Sequence, residues 1–191
     1  MLAITLTRHR DGEPCAMRAL IITGNGVEDS EFSYPYYRLQ EEGMDVDVAT
    51  PDGGSFESKH GQEFEAADIS INDVRSDRYD LLVLPGGRAP ENIRLESSGV
   101  GDIIRGFDDE NKPIASICHG AQLLITADVL DGREATGYWS IRDDIENAGA
   151  AFVDEEVVVD GNLVCSRNPG DLPAFMRETL ANIDKLTDAP A

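Results

Sequence analysis

A cysteine stands where a predicted strand gives way to a predicted helix. Cys118 directly follows the apolar run Pro113 to Ile117 and precedes His119 and Gly120, after which helical spacing begins. A sharp strand-to-helix turn exposes a nucleophile, and a helix N-terminus lowers the pKa of a thiol. The alternative is a buried structural cysteine, the commoner fate of a lone cysteine. The adjoining His119 and Gly120 favour the reactive nucleophile.

Two titratable side chains could act on this cysteine. Glu28 follows the first predicted strand, so a doubly wound sheet can bring its carboxyl group to Cys118, where it could hydrogen-bond to the thiolate or move protons. An acidic residue in a helix first turn explains Glu28 equally well. His119 is expected to orient the site rather than deprotonate Cys118, because neighbouring side chains of an extended chain point apart. A satisfied histidine in a packed loop is the alternative.

The pair Gly86-Gly87 follows another predicted strand. Its exposed backbone N–H groups could form an oxyanion hole together with the amide of His119. A tight turn explains the same pair and is compatible with that role. The chain contains neither of the two glycine-rich phosphate-binding patterns, and we expect no cofactor.

The charge of the chain is strongly negative. Sixteen Lys and Arg residues stand against 37 Asp and Glu residues, which gives a net charge of −21. Nucleic acids and anionic membranes are therefore not expected as partners, and acidic substrates would be poorly steered to the protein. High salt screens repulsion among so many carboxylates, so the composition is typical of a halophile. We interpret the acidic clusters as solvated surface and expect no metal site.

The cysteines and the N-terminus indicate a cytoplasmic protein. Cys15, Cys118 and Cys165 form no CxxC pair and no zinc-binding pattern, and their odd number disfavours a disulfide scaffold. The apolar run Met1 to Leu6 is too short for a signal-peptide core and precedes basic residues instead of a cleavage site.

Short apolar runs alternate with longer helical patterns along the chain. Strands are predicted at 19–23, 46–48, 81–84 and 113–117, and helices at 29–42, 100–107, 121–130 and from Asp171 onward. Uniformly apolar strands belong to a parallel sheet that is covered on both faces. Asp160-Gly161 between two further apolar runs predicts a type I′ hairpin. The expected fold is α/β, a flavodoxin-like, doubly wound and mostly parallel sheet between helices, with a small antiparallel hairpin.

Two segments make up the predicted domain organisation. Residues 1–16 show no helix or strand period and are interpreted as an extra segment that is disordered or reflects a mis-assigned start before Met17. Residues 17–191 form one domain, and the loops after its strands should meet at one edge of the sheet.

Three loop sequences together resemble the DJ-1/PfpI superfamily. They are Thr-Gly-Asn-Gly-Val-Glu-Asp-Ser-Glu at 23–31, Leu-Pro-Gly-Gly-Arg-Ala-Pro-Glu at 84–91 and Ala-Ser-Ile-Cys-His-Gly at 115–120. The similarity continues through 59–61, 138–144 and 157–162, and it is greatest to PfpI-type intracellular proteases. Residues 1–16 have no counterpart in the family, and Ser30 and Trp139 depart from its pattern.

The resemblance implies roles for particular residues. Cys118 would be the nucleophile and Glu28 the acid that is hydrogen-bonded to it. His119 would pair with Glu91 of a neighbouring subunit, so that the site is complete only in a homo-oligomer, a dimer or a hexamer. Tyr138 would lie beside the substrate with Gly86 and Gly87.

The resemblance also implies several functions, which the sequence does not separate. We favour attack of the Cys118 thiolate on a small carbonyl substrate, an α-oxoaldehyde or its protein adduct, with Glu28 and His119 moving protons, as in a glyoxalase or deglycase. A peptidase that takes peptides is one alternative, and a stress sensor or chaperone that uses oxidation of Cys118 is another. A glutamine amidotransferase is disfavoured, because no histidine follows residue 119.

Overall fold

Seven strands form the central sheet of the computed structural model, which describes residues 7–8, 14–65 and 67–187. The strands are β1 (Arg18–Ile22), β2 (Asp45–Thr50), β3 (Ile69–Ser70), β4 (Leu81–Leu84), β5 (Ile114–Ile117), β6 (Val157–Asp160) and β7 (Leu163–Ser166). Their order across the sheet is β6-β7-β5-β4-β1-β2-β3, and every neighbouring pair is parallel except β6 with β7. The predicted mostly parallel sheet with a small antiparallel hairpin is confirmed.

The middle strands of the sheet are buried because helices cover them. All residues of β4, β5 and β7 are buried, and β1 is buried except for Arg18. The helices are α1 (Asp29–Glu41), α2 (Ala89–Glu96), α3 (Val100–Asp109), α4 (Ala121–Ala127), α5 (Arg142–Asn147) and α6 (Leu172–Thr187). Helices α1 and α6 pack together, and α3 packs on α4 and against β4 and β5. The uniformly apolar strands predict this arrangement because neither face of the sheet meets water.

The hairpin between β6 and β7 turns one residue later than predicted. Asp160 still pairs with Leu163, so the two loop residues are Gly161 and Asn162. Gly161 has a φ of +60°, whereas Asn162 has a negative φ. A type I′ turn needs a positive φ at both positions, and a glycine at the first position alone is the type II′ pattern. The predicted hairpin is correct and the predicted turn type is wrong.

Three two-stranded pairs lie outside the main sheet. Phe56–Glu57 pairs antiparallel with Glu63–Phe64, and we call this segment the 56–64 hairpin. Glu134–Ala135 pairs in parallel with Ala151–Phe152. Near the N-terminus, Thr7–Arg8 pairs antiparallel with Pro14–Cys15, and the rest of the predicted disordered segment before Ala16 lies outside the described residues. Within the described ranges, every helix is too short or too polar to cross a lipid bilayer.

Candidate active site

Cys118 occupies the sharp turn between β5 and α4. Its φ is +61°, in the left-handed region, where a side chain costs about 1–2 kcal/mol. A short 3₁₀ turn runs from Cys118 to Gly120, and α4 begins at the next residue. A Cβ atom on Gly120 would lie 2.0 Å from the carbonyl oxygen of Leu84, so only glycine lets the turn approach β4 this closely. The predicted strand-to-helix turn at the cysteine is therefore present.

A cavity of about 600 Å³ opens above this turn. Cys118 lies at its floor and is only 6% exposed. The loops after β1, β4 and β5 all contribute to the wall, as expected for the carboxyl edge of a parallel sheet. Its lining residues are Glu28, Glu31, Lys59, Gly87, Arg88, Glu91, Cys118, His119, Gln122, Tyr138, Ser140, Ile141 and Pro169. The predicted site residues therefore meet in one place, with the exception of Gly86, which lies just behind the wall.

The carboxyl group in contact with the cysteine belongs to Glu31, which corrects the prediction of Glu28. Glu31 is fully buried and interacts directly with the thiol of Cys118. Its Oε2 atom accepts a hydrogen bond of 2.8 Å from the backbone N–H of Gly86. Its Oε1 atom is buried and receives no N–H or O–H donor from the described residues.

Glu28 lines the same cavity but faces another partner. Its backbone is extended, because it precedes the first turn of α1. Its Oε2 atom accepts a hydrogen bond of 3.0 Å from Nζ of Lys59, which lies in the turn of the 56–64 hairpin. Glu28 therefore forms an ion pair at the wall of the cavity, one helical turn before the residue that reaches the thiol.

A pattern in the sequence could have identified Glu31. The residues at 31, 35 and 39 recur at the helical spacing of four, and Glu31, Pro35 and Leu39 all lie on the buried face of α1. A carboxyl group on an otherwise apolar stripe is rarely placed there for packing alone. The spacing therefore distinguishes Glu31 from Glu28 and Asp29, which precede the stripe.

The carboxyl and thiol groups both hold their protons tightly. Burial raises the pKa of Glu31 to about 7, although the hydrogen bond from Gly86 opposes the rise. Burial also raises the pKa of Cys118, and the neighbouring Glu31 carboxylate raises it further. Two acidic groups in contact cannot both ionise readily, so the pair keeps at least one proton well above neutral pH. When that proton lies on Glu31, the carboxyl group can donate it to a Cys118 thiolate.

The raised pKa of Glu31 predicts a pH-dependent stability. Folded Glu31 binds its proton more tightly than the unfolded chain, whose ordinary value is 4.5, so stability falls as the pH rises from about 4.5 to about 7. The Glu31→Gln variant lacks this titration and should be more stable than the wild-type protein at pH 8 by about 3 kcal/mol. Urea unfolding at pH 5 and pH 8 measures the difference. An equal difference at both pH values would contradict the buried titration.

Backbone amides surround the sulfur atom. The N–H groups of His119 and Gly87 both act as hydrogen-bond donors to the side chain of Cys118 and favour its ionised form. The amides of Gly87 and His119 therefore face the sulfur atom, and their role as an oxyanion hole stays a prediction. The amide of Gly86 is not free for that role, because it donates to Glu31.

Close backbone contact explains both glycines of this loop. A Cβ atom on Gly86 would lie 2.7 Å from the amide nitrogen of His119, and one on Gly87 would lie 2.4 Å from that of Glu28. Gly87 also has a φ of +73°. The pair therefore forms the expected tight turn, and Gly87 alone of the two also offers its amide to the sulfur atom.

The imidazole of His119 lies beside the sulfur atom. Its Nδ1 atom is 3.4 Å from Sγ of Cys118. The prediction that the two side chains point apart is wrong, because it assumes extended backbone and Cys118 has a positive φ. On the far side of the ring, Nε2 lies 3.4 Å from Oγ of Ser140. Burial and the positive charge of Lys59 lower the pKa of His119, so the ring is neutral near pH 7 and can accept a proton.

Tyr138 and Glu91 complete the wall of the cavity. The ring of Tyr138 lies 4.8 Å from that of His119, centroid to centroid, and its backbone N–H donates to the carbonyl oxygen of Cys118 over 3.1 Å. Glu91 is exposed, and its negative charge acts on His119 within the same chain. The pairing of His119 with Glu91 of a neighbouring subunit, in a dimer or a hexamer, stays a prediction.

One group of side chains outside the sulfur site has the composition of a metal site. Single ligand atoms of Glu28, Asp29 and His60 lie within 4.8 Å of one another. Each carboxylate already has protein partners: Lys59 donates to Glu28, and Ser58 donates to Asp29 over 2.7 Å. Nδ1 of His60 also lies 2.7 Å from Asp29. These contacts attach the turn of the 56–64 hairpin to the start of α1, and we assign no metal to them.

Comparison with known proteins finds the same fold and similar sequences. The model of the DJ-1/PfpI family matches residues 17–182. The chain is 51% identical over 162 residues to Deglycase PfpI of Pyrococcus furiosus, and the aligned region covers 85% of this chain and 96% of that protein. It is 43% identical over 164 residues to Protein/nucleic acid deglycase 2 of Escherichia coli, covering 85% and 94%. The crystal structure of Drosophila melanogaster DJ-1beta superposes with a TM-score of 0.78 at 31% identity, covering 93% of this chain and all of that chain.

Proposed function

The chain belongs to the DJ-1/PfpI family, and from that premise we propose that it is a cysteine-dependent enzyme acting on α-oxoaldehydes or their protein adducts. The observation that carries this proposal is the contact of Cys118 with a buried, protonatable Glu31 and a neutral His119 at the floor of one cavity. This set supplies a nucleophile, an acid and a base to one bound carbonyl group. Relatives named as deglycases support the same class of substrate.

The first step of the proposed reaction is addition to the aldehyde. Sγ of Cys118, as the thiolate, forms a bond to the aldehyde carbon, and the C=O bond opens to an oxyanion. The N–H groups of Gly87 and His119, which face Sγ, can reach that oxygen because it lies one carbon away. The proton of Glu31 then passes to the oxyanion and gives a hemithioacetal.

The next steps convert the bound aldehyde into a bound hydroxy acid. His119 takes the proton from the carbon that is attached to sulfur and returns it to the neighbouring ketone carbon, while the Glu31 carboxylate takes the hydroxyl proton of the hemithioacetal and passes it to the ketone oxygen. The product is a 2-hydroxyacyl thioester on Cys118. Water then adds to the thioester carbonyl, the carbon–sulfur bond breaks and lactate leaves. The sum is methylglyoxal plus water giving lactate and a proton, with no external oxidant or reductant.

The cavity suits a small substrate better than a folded protein. Cys118 is recessed at its floor, and the volume of about 600 Å³ holds an oxoaldehyde or a modified side chain. A modified lysine or arginine on a flexible segment could enter it, and the released group would then be the free amine. A peptidase needs a groove that is open at both ends of the scissile bond.

Product analysis tests this function against its alternatives. The purified chain is incubated with methylglyoxal, and both enantiomers of lactate are measured, while casein and short peptides are offered in parallel. We expect lactate well above the enzyme-free rate and no peptide cleavage. Cleavage of peptides without lactate would establish the peptidase instead. Neither activity, together with ready oxidation of Cys118 by peroxide, would replace the enzyme with the stress sensor.

A further inference from the structure

Arg88 has an unused positive charge at the active-site cavity. In a chain with 37 acidic and 16 basic side chains, most basic side chains have a carboxylate partner close by. Within the described ranges, however, the exposed guanidinium group of Arg88 forms no ion pair and no side-chain hydrogen bond. Because Arg88 also lines the cavity above Cys118, its guanidinium group is available to a negatively charged ligand there.

Backbone hydrogen bonds fix the main chain of Arg88 and of Lys59 against the loop after β1. The amide of Arg88 donates to the carbonyl oxygen of Gly26 over 2.7 Å, and the amide of Lys59 donates to that of Val27 over 2.8 Å. Two neighbouring residues of the loop after β1 therefore hold the two basic residues at one place. An added Cβ on Gly26 would lie 2.8 Å from the Cβ of Arg88, so this contact is tight.

Both basic side chains lie between two cavities. They line the 600 Å³ cavity above Cys118, and they also line a neighbouring cavity of about 560 Å³. The other residues of the second cavity are Asn25, Gly26, Glu57 and Ser58. Arg88 and Lys59 therefore form a wall that the two cavities share.

Among the described charged side chains near the two cavities, the positive charge of Arg88 has no negatively charged partner. Glu28 accepts a hydrogen bond from Lys59, so these two charges largely cancel. Glu31 lies deeper and shares its proton with Cys118, whereas Glu91 is exposed and lies on the His119 side. Glu57 is exposed and lines only the second cavity. A planar guanidinium group binds a carboxylate or a phosphate with two parallel hydrogen bonds.

We propose that Arg88, which lies beside the ion pair of Lys59 with Glu28, is an anion subsite at the mouth of the Cys118 cavity and takes a carboxylate or phosphate group carried by the substrate. The inference deepens the proposed function. It rests on that function for the reaction, whereas binding of the anion at Arg88 does not depend on it. It also modifies the expectation that acidic substrates are poorly steered. The net charge of −21 repels anions at long range, whereas the subsite acts over a few ångströms after entry.

The rate at which Cys118 is alkylated tests the subsite without any turnover. Iodoacetate and iodoacetamide form the same bond to sulfur, and they differ in having a carboxylate or a neutral amide. The rate constants for the peptide that contains Cys118 are measured by mass spectrometry, and their ratio is compared between variants. We expect Arg88→Gln to lower the iodoacetate-to-iodoacetamide ratio by about 3- to 10-fold, because one charge a few ångströms away is removed.

Arg94→Gln is the matched control for that variant. Arg94 is also exposed and, among the residues that the structure describes, also without an ion pair; it lies near the other end of α2, outside both cavities. The Arg94→Gln substitution changes the net charge by the same amount as Arg88→Gln and should leave the iodoacetate-to-iodoacetamide ratio unchanged. Equal ratios in the two variants, with native circular dichroism spectra, would overturn the subsite. Because alkylation needs no catalysis, absence of lactate release would overturn the proposed function and leave this result standing.

Discussion

The Cys118→Ser variant is expected to lose lactate release from methylglyoxal by at least about 10³-fold, because a hydroxyl group is a much weaker nucleophile than a thiolate. The partner of the cysteine makes the loss larger. Glu31, whose pKa is about 7, can share a proton with a thiol but cannot remove one from an alcohol. Initial rates of lactate formation, with both enantiomers measured, give the comparison.

Cys165 provides the control for this variant. It lies in β7 and is completely buried, and burial raises its pKa to about 12. Cys165→Ala should therefore keep the wild-type rate within about twofold, provided that the fold is retained. A serine at 118 keeps the positive φ of the turn at the same cost as cysteine, so its melting temperature should be close to that of the wild-type protein. A Cys118→Ser variant with wild-type activity would exclude a covalent role for the sulfur atom.

Glu31→Gln is expected to lower kcat/KM for methylglyoxal by about 10²-fold, the usual effect of removing a general acid or base. The amide can still accept the hydrogen bond from Gly86, so the geometry of the site should persist. It cannot supply a proton to an oxyanion. A rate that no longer changes between pH 6 and pH 8 should accompany the loss, because the group with a pKa of about 7 is gone.

Glu28→Gln separates this role from a general effect of acidic residues. Glu28 contacts Lys59 at the wall of the cavity, and an amide oxygen can still accept from that ammonium group. We expect a loss of less than about threefold in kcat/KM and an unchanged pH profile. Both rates are measured at one salt concentration, since exposed ion pairs weaken as salt rises. Equal losses in the two variants would contradict the assignment of Glu31.

Local sequence patterns account for most of the fold. The continuous apolar runs in β4 and β5 require a sheet that is buried on both faces, and the structure shows all eight residues buried. The helical stripe of α3 and the glycine between β6 and β7 were sufficient to predict those elements. The prediction of the turn type was wrong because the type depends on the backbone conformation of Asn162, which sequence constrains only weakly.

The side-chain partners of Cys118 were harder to predict. Sequence placed Glu28 and Glu31 at the correct edge of the sheet, and the predicted start of α1 at residue 29 is correct. The prediction failed because it took Glu28, which precedes the helix, instead of the carboxyl group on the buried helical stripe. The position of His119 depends on the φ of Cys118, which tertiary contacts around Gly120 impose. The ion pair of Lys59 with Glu28 joins residues 31 positions apart and has no local signal.

The left-handed backbone at Cys118 limits how this chain can change during evolution. Glycine alone would relieve the turn, and glycine has no sulfur atom. Any lineage that keeps the reaction therefore inherits the unfavourable backbone with it, and selection for greater stability must act at other positions. Positions away from the two strands that lead into the site, such as the exposed residues of the outer helices, are open to such compensation. A drifting copy that no longer needs the reaction can gain stability at once by losing the cysteine to glycine.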